Sequence, residues 1–65
     1  MKKGEVKIGD RLRVADDRLT KGEYNGCTVS VLEIDRLGFV RCELLSGDQA
    51  GFRLWFNANE LEEAR

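Results

Sequence analysis

Few residues in this chain could do chemistry, and the commonest reagent is missing. There is no histidine, and there are two cysteines, Cys27 and Cys42, among 65 residues. Without imidazole, one chain can build neither a Ser-His-Asp triad nor a histidine-ligated metal site. Two thiolates leave a tetrahedral zinc site half built. Acid–base work would fall to a carboxylate, lysine or thiol tuned towards neutral pH by burial. The acidic residues that stand out are Asp16-Asp17, Asp35 and Asp48. Each sits in a polar or glycine-containing stretch, where Asp serves as a turn former. The run Ser46-Gly47-Asp48-Gln49-Ala50-Gly51 has glycines but lacks the lysine and the helix that a phosphate loop needs. The residues therefore predict no enzyme: no catalytic group, no metal and no cofactor.

What remains is recognition chemistry. Phe39, Arg41, Arg53 and Trp55 are the side chains best suited to it, with Tyr24 as a fifth at the rim. A Trp flanked by Arg can stack on bases or on a partner's side chains, and both types concentrate binding energy at interfaces. The competing use is local: Arg41 and Arg53 can cover Trp55 with their own stems and merely stabilise the sheet. Tyr24 has a similar alternative, folding back as a lid over the open end of the fold with its hydroxyl in water. Lys2, Lys3, Lys7, Arg11 and Arg13 make a basic N-terminal stretch, and Glu60, Glu62 and Glu63 an acidic end that offsets it if the two lie close.

These side chains need elements to position them. The apolar residues recur with period two rather than 3.6, the signature of strands. A first strand ends in Leu12-Arg13-Val14, and residues 15–26 form a long polar loop. Residues 27–34, rich in β-branched types, make the second strand, and residues 39–45 the third. Between them, Asp35-Arg36-Leu37-Gly38 is a turn in which Gly38 takes positive φ. Residues 52–56 form the fourth strand, entered through a kink at Gly51. Asn57-Ala58-Asn59-Glu60-Leu61 is a single helical turn before a short last strand. Pairing Glu43 with Arg53 sets Cys42 opposite Leu54, Arg41 opposite Trp55 and Val40 opposite Phe56. One face is then wholly apolar (Val40, Cys42, Leu44, Phe52, Leu54, Phe56), and a slip of one residue would destroy it. The second strand is harder to read. Val29 and Val31 point one way and Leu32 and Ile34 the other, which calls for a bulge or for a strand bent enough to bury both sides; the bend is the expectation taken. The predicted interior is Val14, Val29, Val31, Val40, Cys42, Leu44, Leu54, Phe56 and Leu61.

Eleven basic against twelve acidic side chains give a net charge of −1, unlike the strongly basic footprint of most nucleic-acid binders. The length allows one domain, residues 1–65, with an ordered core over about 8–62. No apolar run follows Lys2-Lys3, so we expect no signal peptide, no membrane span and a cytoplasmic location. Both cysteines are then expected to be reduced and buried on the inner faces of the second and third strands. The whole is an all-β fold: a small five-stranded barrel with a short helical turn before the last strand.

The run Ile8-Gly9-Asp10-Arg11-Leu12-Arg13-Val14 resembles the Gly-Asp-x-Val-x-Val opening of KOW and other SH3-like barrels. Lys21-Gly22-Glu23-Tyr24-Asn25-Gly26 is similar to the basic-glycine turn before their second strand. Trp55-Phe56-Asn57-Ala58-Asn59-Glu60-Leu61-Glu62 resembles the aromatic strand, short turn and close of small bacterial and phage SH3-like proteins. Here Cys27 and Thr28 separate Gly26 from Val29, where KOW segments set a glycine closer to the valine. The resemblance spans residues 8–62 and implies an SH3-like barrel. By function it implies a binding module for a protein partner or a second copy of the chain, as in an accessory protein of a phage or mobile element. The alternative is a KOW-like barrel that binds nucleic acid. A third class, enzymes whose site forms only between SH3-like subunits, as in plasmid-type dihydrofolate reductases, has a pore motif that does not match here.

Overall fold

The computed structural model describes residues 3–18 and 21–64. Five strands form one antiparallel sheet: β1 (Arg11–Val14), β2 (Thr28–Ile34), β3 (Phe39–Leu44), β4 (Arg53–Asn57) and β5 (Leu61–Glu63), in the order β4-β3-β2-β1-β5. Two 3₁₀ turns accompany them, η1 (Lys3–Glu5) ahead of β1 and η2 (Ala58–Glu60) between β4 and β5. The fold is all-β, as the period-two pattern predicts. The sheet is open, with β4 and β5 as its edges. The expected barrel is therefore not closed by a β4–β5 ladder among the described residues. β5 is only three residues long and pairs with β1 alone.

The hairpin register is the one the apolar face demands: Val40 opposite Phe56, Arg41 opposite Trp55, Cys42 opposite Leu54 and Glu43 opposite Arg53. Alternation then sorts the side chains. Val29, Val31, Val40, Cys42, Leu44 and Phe56 are buried on one face, with Leu12 and Val14 from β1 and Leu61 from β5. Leu54 is half-buried against them. Phe52 departs from expectation and is 57% exposed. Gly51, at φ +99°, donates its N–H to the Leu44 carbonyl at 2.7 Å, the acceptor a regular ladder would give to Phe52. The Phe52 N–H turns instead to the Gln49 carbonyl at 3.1 Å. The chain enters β4 offset, and Phe52 is left out of the interior.

The difficulty in β2 is resolved by a bulge rather than by the bend we expected. Val31 pairs with Cys42 and Glu33 with Arg41, so Leu32 is an extra residue. The insertion resets the alternation. Ile34, opposite Val40, returns to the core side and is packed there, while Leu32 is left 37% exposed. The turn that follows is held by Asp35, whose Oδ1 accepts from the N–H groups of Leu37 at 2.8 Å and Phe39 at 2.9 Å. Gly38 completes it at φ +96°, as its position predicts.

Two acidic side chains are buried, and both serve the backbone. Glu60, in sequence part of the acidic end with Glu62 and Glu63, is 4% exposed. It closes a capping box with Asn57, its Oε1 accepting the Asn57 N–H at 2.8 Å, and its Oε2 accepts the Arg18 N–H at 2.9 Å. Its carbonyl accepts from Ala15 at 2.8 Å. Asp17, 2% exposed, accepts the Tyr24 N–H at 3.3 Å and donates its own N–H to the Asn25 side chain at 2.7 Å. The Asp16-Asp17 pair is thus, at Asp17, a loop organiser, as short acidic side chains in turns usually are.

Candidate functional site

The outer face of the sheet is read row by row from the register. Trp55 lies beside Arg41, and Arg41 beside Glu33. In the next row Arg53 lies beside Glu43, Glu43 beside Ser30 and Ser30 beside Arg11. Phe39 lies opposite Asn57 at the far end. Phe39, Arg41, Arg53 and Trp55 therefore share one surface. Trp55 is 41% exposed and Phe39 is half-buried. Leu32 lies next to Glu33 and is 37% exposed, on the side away from Val29 and Val31 where the sequence pattern points it.

Charge on this face is only partly neutralised. Arg53 pairs with Glu43 at 3.7 Å, and Arg13 with Glu62 at 3.0 Å. Both pairs are solvent-exposed, so each contributes about 0–1 kcal/mol. Arg41, in the middle of the Trp55 row, is half-buried, and its side chain makes no ion pair or hydrogen bond among the described residues. Its guanidinium offers planar donors suited to a carboxylate or a phosphate. The Arg13–Glu62 pair ties the basic start of the fold to its acidic end; Lys2 and the side chain of Lys3 lie outside the described residues.

Tyr24 belongs to the other side. Its ring meets Phe56 edge to face, centroids 6.3 Å apart, and Phe56 is core. The Tyr24 hydroxyl donates to Gln49 Oε1 at 2.6 Å. It is a lid over the core, with a protein partner in place of the expected water, and it is not at the rim of the Trp55 surface. Burial of the phenol, and then the charges of Glu23 and Asp17, hold its pKa above the ordinary value.

Between this lid and the turn at 46–49 lies a cleft of about 190 Å³, lined by Tyr24, Cys27 and Leu44. That is below the roughly 300–1,000 Å³ of small-molecule sites. Cys27 reaches it because it precedes β2 and is half-buried. Only Cys42 occupies the inner strand face predicted for both thiols, and burial pushes its pKa up to about 12. Both are free. No group of three metal-ligating side chains comes together among the described residues, and no helix there is long and apolar enough to cross a membrane.

No protein-family model, no curated protein and no solved structure matches the chain.

Proposed function

We propose that the chain is a non-enzymatic binding module with an SH3-like plan, and that it engages a protein partner through the outer face built from Phe39, Arg41, Arg53 and Trp55. The observation that carries this reading is Trp55, 41% exposed in a sheet whose other face is closed over a core. Covering an aromatic of that size is worth about 2–3 kcal/mol at usual area coefficients. Arg41 beside it has no protein acceptor among the described residues, which suits a partner that brings a carboxylate. The expected result for Trp55→Ala is a loss of stability under about 1 kcal/mol together with loss of partner binding. Denaturant unfolding and affinity capture on the same variant measure the two. A loss of several kcal/mol would make Trp55 a core residue and remove the surface.

A KOW-like nucleic-acid role is the second reading, favoured by Arg11 and Arg41, whose side chains have no ion pair among the described residues, on the same face. It differs in salt dependence. Phosphate contacts give log K a slope of about −0.9 per duplex phosphate neutralised, and a protein interface centred on Trp55 does not.

A further inference from the structure

The two edges of the sheet are not alike. β5 is three residues long and carries Glu62 and Glu63, the short, charged form that discourages strand addition. β4 is five residues long, with Phe52 exposed on its approach and Trp55 on its outer side. Its free main-chain groups can be identified. Leu44 donates to the Phe52 carbonyl at 2.8 Å and Ala58 to the Gly38 carbonyl at 3.0 Å. Antiparallel ladders alternate, so Leu54 and Phe56 turn their N–H and C=O groups to β3. Arg53 and Trp55 turn theirs to the open side. The Asn57 N–H, on that side too, is taken by Glu60 Oε1 at 2.8 Å.

From this geometry we infer that β4 pairs antiparallel with β4 of a second copy of the chain, about a two-fold axis at Leu54. The inference rests on the binding surface proposed above and names its occupant. The register follows by comparing the alternatives. An axis at Arg53 sets like charges face to face. An axis at Trp55 or Phe56 needs the Asn57 N–H, which Glu60 already holds. An axis at Leu54 pairs Arg53 with Trp55 of the second copy, and every outward N–H and C=O of those two residues finds a partner. On the outer face, a row then runs Glu43, Arg53, then Trp55 and Arg41 of the second copy. Each indole lies between two guanidinium groups, one from each chain, and no two like charges are adjacent within the row, the two Arg53 side chains lying diagonally across the axis. On the inner side the half-buried Leu54 meets its own copy, and the exposed Phe52 comes opposite Phe56 of the second copy.

The test is sedimentation of the whole chain from micromolar to millimolar concentration, with amide hydrogen exchange at both extremes. A dimer is expected, with the Arg53 and Trp55 amides protected only at high concentration, while those of Leu54 and Phe56 are protected throughout. Arg53→Pro removes an outward N–H without touching the β3 ladder, and should weaken the dimer about tenfold or more by losing two hydrogen bonds through symmetry. A monomer at every concentration overturns the inference, as does a dimer in which the Arg53 and Trp55 amides stay unprotected. The exchange readout on the unsubstituted chain decides the matter even if Arg53→Pro does not fold. A monomer that still binds a protein through Trp55 separates failure of the edge pairing from failure of the binding-module reading.

Discussion

Cys42 lies within β3 and Cys27 just ahead of β2, they differ in burial, and their chemistry should differ accordingly. Cys42 is fully enclosed and Cys27 half-buried at the cleft. A thiol reagent should modify Cys27 in the folded protein and Cys42 only on unfolding, read as two kinetic phases. Burial raises the Cys42 thiol from its ordinary 9.0 to about 12. A raised folded-state pKa stabilises fully below the unfolded value and less as pH climbs towards the folded one. Stability should therefore fall from about pH 9 towards pH 12, and Cys42→Ala should flatten that part of the profile in denaturant titrations. Glu60 is the other residue with an outsized role. Its two carboxylate oxygens hold the N–H groups of Asn57 and Arg18, and Glu60→Ala would leave these part-buried donors without their acceptor. We expect a loss of about 2–3 kcal/mol, with Glu60→Gln recovering part of it. With Glu62 and Glu63 close by, Glu60 reads by composition as part of a solvated acidic tail. The signal that was available is Asn57 three residues before it, the spacing of a capping box.

At the scale of elements, the β3–β4 register was legible because a single alignment makes one face apolar, and that alignment also turned Trp55 outward. The bulge in β2 was visible only as a conflict between Val31 and Ile34. Choosing between a bulge and a bend needs the partner strand, which fixes Glu33 against Arg41. Phe52 was misplaced for a related reason: the period-two pattern runs through it, while the kink at Gly51 hands its hydrogen bond elsewhere. Since Leu32 is the inserted residue, deleting it should keep Glu33 outside and Ile34 inside. We expect that variant to fold with the same β2–β3 pairing and to lose about 1–2 kcal/mol with the local twist. Cross-strand nuclear Overhauser contacts between Glu33 and Arg41 would verify the register. A shifted ladder would mean that Leu32 is not the extra residue.

For the molecule as a whole, one core joins all five strands, and a single cooperative unfolding transition is expected by fluorescence and far-ultraviolet dichroism alike. The absence of histidine leaves no side chain whose ordinary pKa lies between about pH 5 and 8. Midpoints of that transition should coincide from about pH 6 to 8. The arrangement of β1 has a kinetic side as well. Its outer neighbour is β5, and the Arg13–Glu62 bridge spans 49 positions along the chain. The β2-β3-β4 meander closes through short turns, but β1 gains its outer neighbour only after Leu61–Glu63 has been synthesised. Until then the outer edge of β1 is open, and Arg13 lacks the Glu62 carboxylate that the finished sheet sets beside it.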